Sequence, residues 1–172
     1  IHFIWLGSPF PTAKYYERFY KTWELLNPTF EIILWNDERV QTLRQEKELM
    51  NHKAFDLATN YGEKSDILRL ELLYRYGGIY VDLDICMMDK SIKHLFKLSY
   101  FFVRWSDSHL PYNALLGTQK NNPLYLDILD HCKESFYEKR KQKIYKTWKG
   151  RFVFQTTGHF MLQRVLKRNK IS

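Results

Sequence analysis

The stretch YGGIYVDLDI, residues 76–85, sets the tightest condition on how this chain can fold. Gly77-Gly78 is a helix stop, and Ile79–Asp84 then reads as a strand. Side chains alternate along a strand, so Ile79, Val81 and Leu83 point one way and Tyr80, Asp82 and Asp84 the other. Both carboxylates fall on one face, about 7 Å apart by strand rise. Aspartate is a poor strand former, and a buried carboxylate is costly unless it is paired or binds a metal. An edge strand with a solvated polar face is one solution. The other is a site in which a cation beside the two acids relieves their repulsion. Hard divalent ions such as Mn²⁺ or Mg²⁺ suit that role, because they take one or two carboxylates and fill their remaining positions with water and phosphate oxygens.

The segment before it adds charge in a compact unit. KSDILRLELLYRYGG reads as a helix through roughly residues 63–76, with Leu68, Leu72, Leu73 and Tyr76 as its apolar face. Asp66 stands near its start and Arg69 three residues later, on the same side. A capping Ser65 or Asp66 with a surface ion pair would explain these residues structurally. Packed against the aspartate strand, the same residues would hold a sugar, a phosphate and a metal together.

The remaining pattern alternates strands and helices, the mark of an α/β fold. HFIWL (His2–Leu6) reads as a strand stopped by Gly7-Ser8-Pro9, residues 13–26 as a helix, and FEIILW (Phe30–Trp35) as a second strand. A polar helical stretch follows to about Met50. A short helix through Ile92–Phe96 precedes the strand YFFVRW. A loop around Pro111 leads to NALLGT, and Asn122-Pro123 opens a helix to about Tyr137. The end reads as a strand or turn and a final helix. The 172 residues read as one domain, 1–172, and with no Met at its start the expectation is a trimmed or internal segment. No apolar run approaches a membrane span. Two cysteines, Cys86 and Cys132, form no CxxC pattern, which argues against a disulfide framework or zinc site and favours a reducing compartment.

The net charge of +8 calls for an anionic partner: nucleic acid, a membrane surface or a phosphorylated small molecule. The aromatic content of 17% serves either a core or stacking on bases and sugars.

SDILRLELLYRYGGIYVDLDI resembles the D-x-D region of retaining glycosyltransferases with the GT-A fold, and most closely glycosyltransferase family 32. The glucosylating domains of large clostridial toxins share the pattern. IHFIWLG and NPTFEIILWND resemble that family's opening, so the likeness covers residues 1–90 well; NALLGTQKNNPLYLDIL and TTGHFM resemble later segments more loosely. The resemblance implies a Rossmann-like mixed sheet with helices on both faces. It implies that Trp5 stacks on the nucleotide base while the Ile4 backbone hydrogen-bonds it. Ser65, Asp66 and Arg69 would contact the donor sugar and diphosphate, and Tyr80 would pack near the sugar or ribose. Asp82 would bond hydroxyls and assist the metal, and Asp84 would bind the metal directly. The sequence departs from many relatives at Gly158-His159, where they carry Gly-Pro.

The resulting expectation is a metal-dependent retaining hexosyltransferase using a nucleotide sugar, a UDP-sugar ahead of a GDP-sugar. Its acceptor would be a glycan, a lipid-linked sugar or a protein. The alternative is a GT-A-like domain that binds a nucleotide sugar or glycan without turnover. The third reading, a basic RNA- or lipid-surface module, finds no nucleic-acid motif, so no nucleic acid is expected. The basic tract Lys139–Arg151 is the solvated face of a helix and loop, or a peripheral membrane contact. The expected location is cytoplasmic or membrane-peripheral.

Overall fold

The structure is a computed structural model that describes residues 1–11, 15–88, 91–104, 110–141 and 149–171. The elements run β1 (His2–Ile4), α1 (Tyr15–Leu26), β2 (Ile33–Trp35), α2 (Asp37–Gln45), α3 (His52–Leu57), α4 (Tyr61–Tyr76), β3 (Gly78–Val81), a 3-10 turn (Lys93–Lys97), β4 (Tyr100–Arg104), β5 (Pro111–Thr118), α5 (Pro123–Lys141), α6 (Lys149–Thr156) and α7 (His159–Arg168). The strands form one mixed sheet in the order β2-β1-β3-β5-β4. β1 pairs in parallel with β2 and β3, whereas β5 runs antiparallel to β3 and β4.

Strand alternation sorts the apolar residues into two cores. Phe3, Ile79 and Val81 pack with Trp23 of α1 on one face. Ile4, Tyr80 and Leu116 pack with α2, α3, α4, α5 and α7 on the other. Helices therefore cover both faces, as the family resemblance implies. α4 lies deepest: Asp66 through Leu73 are all buried, polar residues included.

Several boundaries differ from the sequence reading. β3 stops at Val81, so the two aspartates lie beyond the strand rather than within it. The Asp82 N–H still donates to the Ala114 carbonyl (2.8 Å), and a turn then closes from the Ile85 N–H to the Asp82 carbonyl (3.1 Å). The polar stretch after Asn36 is broken at Lys47, which has a positive φ of 55°, and α3 begins as a separate helix. The Glu71 carboxylate accepts from the Met50 and Asn51 amides at the start of α3. The cap of α4 is Asn60, whose side chain accepts from the Glu63 amide, not Ser65 or Asp66. Pro111 begins β5 rather than a loop, and Phe152–Phe154 belong to helix α6. Much of the basic tract, residues 142–148, lies outside the described residues. Arg140 turns inward, 2.9 Å from Glu63. Among the described residues, no helix is long and apolar enough to cross a membrane.

The turn into β3 is anchored by His2. Its Nε2–H donates to the Gly77 carbonyl (2.8 Å) while Nδ1 accepts from the Trp35 indole N–H (3.1 Å). Both ring nitrogens are committed, and the two partners require the neutral ring. Burial pushes the imidazole down from 6.5 to about 4. Protonation therefore favours the unfolded chain, and the stability His2 supplies above pH 6.5 is lost as the pH falls toward 4. Urea denaturation should show wild type losing about 3 kcal/mol more than His2→Gln over that window. Parallel pH profiles for the two proteins would contradict this account.

Candidate active site

The carboxyl ends of β1 and β3 and the first turns of α4 enclose a cavity of about 570 Å³. The end of β1 brings Ile4 and Trp5 to its wall, α4 brings Ser65 and Arg69, β3 brings Tyr80, and the turn after β3 brings Asp82 and Asp84. Seven of the eight residues singled out from the sequence thus line one space; the eighth, Asp66, is buried behind Arg69.

Arg69 organises the floor. Its Nη2 lies 3.0 Å from Asp66 Oδ1, with the two side chains only 8% and 6% exposed, so this i,i+3 pair is interior rather than a surface bridge. Nη1 donates to the Asn113 carbonyl (2.5 Å) and lies 3.4 Å from Asp82 Oδ1. Nε donates to the Ser65 carbonyl (3.3 Å), and the guanidinium carbon stands 4.4 Å from the centre of the Tyr80 ring. Burial alone would lower its pKa, but Asp82, Tyr80 and Asp66 together hold it above its ordinary value. Arg69 is therefore a fixed cation at the cavity.

The acids behind and beside it differ. Asp66 accepts from Asn113 Nδ2 (2.9 Å) at Oδ1 and from the Thr157 hydroxyl (2.9 Å) at Oδ2. Burial raises its pKa to about 6, against the opposing pull of Arg69. Asp82 accepts from the Tyr80 hydroxyl (2.5 Å) at Oδ1, the oxygen that also faces Arg69. Burial, and then the nearby Asp82 carboxylate, raise the Tyr80 phenol well above its usual value, so it stays a donor. Asp82 Oδ2 and the exposed Asp84 carboxylate make no hydrogen bond or ion pair among the described residues. Both acids influence the Tyr112 phenol, which is raised first by burial and then by Asp84 and Asp82. The segment beyond them is pinned: Trp23 Nε1 donates to the Ile85 carbonyl (2.8 Å) and the Met87 amide to Thr22 Oγ1 (2.9 Å).

This donor set fits a hard divalent cation. Among the described residues, no cluster of three or more His, Cys, Asp or Glu side chains forms, so a four-ligand zinc site is not built. Two carboxylate groups with open oxygens suit Mg²⁺ or Mn²⁺, which complete their shell with water and phosphate.

Trp5 stands half-buried at the opposite wall. Its ring packs against Tyr16 (5.5 Å between centroids) and Phe10 (6.1 Å), and its indole N–H donates to the Pro9 carbonyl (3.2 Å). The Trp5 amide, not that of Ile4, continues the pairing with Trp35. Tyr16 and Tyr61 also line the cavity, though neither stood out in the sequence: Tyr16 belongs to an apolar helix stripe and Tyr61 lies outside any motif.

A family model described as a glycosyltransferase sugar-binding region containing a DXD motif matches residues 13–116, more than half of the chain. The chain belongs to this family. Among its relatives, the Legionella pneumophila "Subversion of eukaryotic traffic protein A" is 25% identical over 79% of this chain and 25% of its own length. "Inositol phosphoceramide mannosyltransferase 3" of Schizosaccharomyces pombe is 29% identical over 60% of this chain and 29% of its own. "Uncharacterized glycosyltransferase L373" of Acanthamoeba polyphaga mimivirus is 26% identical over 73% of this chain and 51% of its own. The chain thus spans a quarter to about half of these relatives. In structure it resembles the PaToxG glycosyltransferase (TM-score 0.70, 20% identity, covering 98% of this chain and 67% of that one). It also resembles the ligand-free glycosyltransferase domain of the YGT toxin (TM-score 0.67, 12% identity, 98% and 77%). The fold of this DXD-family chain is the GT-A fold.

The cavity's roof depends on Gly7. Its φ of +86° is left-handed, and a Cβ there would fall 2.0 Å from the Tyr61 ring. Gly7→Ala should therefore destabilise the fold by about 1–3 kcal/mol in urea. Adding Tyr61→Ala should restore part of the loss, because it removes the clash but not the backbone strain. A double variant no more stable than Gly7→Ala alone would refute the contact.

Proposed function

We propose that this chain binds a nucleotide-diphosphate sugar in the cavity and transfers its hexose to an acceptor hydroxyl with retention, assisted by Mn²⁺ or Mg²⁺. The observation that carries this reading is the convergence of a fixed guanidinium, two carboxylates with open oxygens and an aromatic face on one cavity. Trp5 would take the base on its ring, with the Ile4 backbone beside it. Arg69 would meet the diphosphate and sugar oxygens with its planar fork. Ser65 and Tyr80 would border the sugar, and Asp66 would act through Arg69. Asp84 and Asp82 would hold the cation, whose contribution when bound is to neutralise charge on the departing diphosphate.

In the transfer, the sugar C1–oxygen bond to the diphosphate would break, a bond from C1 to the acceptor oxygen would form, and the acceptor proton would pass to the departing diphosphate. The Arg69 charge, held without reorganisation by its buried partners, favours the diphosphate as it gains charge. Retention rests on the family resemblance. Relatives named for inositol phosphoceramide mannosyl transfer support testing mannose donors and a lipid acceptor, and the screen covers both UDP- and GDP-sugars. Glycan and protein acceptors belong there too. The basic charge would favour the anionic donor, and residues 139–151 would supply a peripheral membrane contact in a cytoplasmic setting.

The test is a screen of UDP- and GDP-sugars for Mn²⁺- or Mg²⁺-dependent hydrolysis. Asp84→Asn should abolish turnover while leaving the urea midpoint close to wild type. Near-normal turnover in that folded variant would remove the metal assignment. Donor binding without turnover in wild type would instead identify a binding domain. Trp5→Ala should weaken nucleotide-diphosphate binding by about 1–3 kcal/mol, the scale of base stacking on an aromatic ring. Lost stability with unchanged nucleotide affinity would assign Trp5 to packing alone.

A further inference from the structure

The turn between α6 and α7 lies outside the residues matched by the family model, yet it reaches the floor of the cavity. Thr157 in that turn is 3% exposed and stands 91 residues along the chain from Asp66. Its hydroxyl is within reach of two acceptors: Asp66 Oδ2 at 2.9 Å and the Val153 carbonyl at 3.3 Å. The Val153 carbonyl already accepts from the Thr157 amide (3.1 Å) and the Gly158 amide (2.8 Å). A carbonyl oxygen has two lone pairs and a hydroxyl has one proton. The proton therefore goes to the carboxylate, the shorter and charge-assisted bond. Gly158 allows this approach, since a Cβ there would lie 3.0 Å from the Phe154 Cα and 3.3 Å from Asp66 Oδ2.

The partners of Asp66 are divided between its oxygens. Oδ1 serves Arg69 and Asn113, and Asn113 also receives Arg69 Nη1 on its carbonyl. Among the described residues, Oδ2 is held by Thr157 alone. We propose that Thr157 is a positioning residue: by clamping Asp66 Oδ2 it fixes the carboxylate plane and, through it, the plane of the Arg69 guanidinium at the cavity. Without the hydroxyl, a buried carboxylate oxygen loses its donor and the carboxylate turns to recover one. Arg69 is then held by Asp82 and the Asn113 carbonyl without Asp66 to fix its plane, and its fork loses its set orientation at the cavity. The catalytic consequence rests on the glycosyl-transfer reading; the coupling between Thr157 and Arg69 does not.

The test compares Thr157→Val, which keeps the shape and removes the hydroxyl, with Thr157→Ser, which keeps the hydroxyl. Thr157→Ala replaces the valine variant if thermal melting shows that valine is not accommodated. With the nucleotide sugar that wild type hydrolyses best, Thr157→Val should lose at least tenfold in kcat with a smaller change in KM, and Thr157→Ser should retain most activity. In an Arg69→Lys background, Thr157→Val should cost less than twofold, because the group it positions has gone. Equal impairment of the serine and valine variants, or full additivity with Arg69→Lys, would overturn the proposal. A second readout uses the Arg69 Nε–H resonance in ¹⁵N-labelled protein, identified by its loss in Arg69→Lys. That signal should be retained in Thr157→Ser and shifted or broadened in Thr157→Val. If wild type hydrolyses no nucleotide sugar, the functional reading fails and this resonance decides the coupling; an unchanged signal in Thr157→Val would overturn it.

Discussion

A guanidinium cannot be left unpaired in a protein interior, and the placement of Arg69 binds the rest of the site to that requirement. Its hydrogen bonds and ion pairs come from four residues in three parts of the chain: Asp66 and Ser65 on its own helix, Asp82 beyond β3, and the Asn113 carbonyl in β5. The Tyr80 ring covers its face. Satisfying one buried cation therefore fixes the angle of α4 against the sheet and the pairing of β3 with β5 at their shared end. The pocket that results is rigid on its floor and open at Asp84. That suits chemistry in which a fixed positive charge must await a ligand rather than form around it.

The sheet supplies the setting. β1, β2 and β3 run parallel, so their carboxyl ends open on the same side, where α/β sheets form ligand crevices. Trp5 leaves the end of β1 and Asp82 the end of β3, and these neighbouring strands bring the two across one cavity. The antiparallel β5 then closes the far side and carries Asn113 and Tyr112 to the same end. Membership of the DXD glycosyltransferase family agrees with this architecture, and the likeness to two toxin glycosyltransferase domains extends it over nearly the whole chain.

Element types were largely legible from periodicity, while several boundaries were not. Period-2 alternation carries the aspartate strand to Asp84, three residues beyond its end at Val81. The chain instead turns at Asp82, held by the Ala114 carbonyl on one side and its own bond to Ile85 on the other. The polar helical pattern that opens at Asn36 runs to about Met50, but α2 ends at Gln45 and the left-handed Lys47 divides it from α3. That division is stabilised by Glu71, whose carboxylate arrives from another helix. No local pattern contains such a distant partner.

The sequence by itself determined the α/β class, the helix–glycine–strand unit and four of the residues at the cavity, Arg69, Tyr80, Asp82 and Asp84, whereas Trp5 was implied only by the family resemblance. These are local properties, since spacing of two or three residues and a glycine turn are enough to group them. Only the tertiary structure decided which of the acids faces the cavity and which lies behind it. Asp66 and Asp84 are the same residue type. One is enclosed by Asn113, Arg69 and Thr157, and the other stands exposed at the cavity. The difference comes from contacts made 47 and 91 residues away along the chain, and burial by distant segments sets a carboxylate's solvation and pKa.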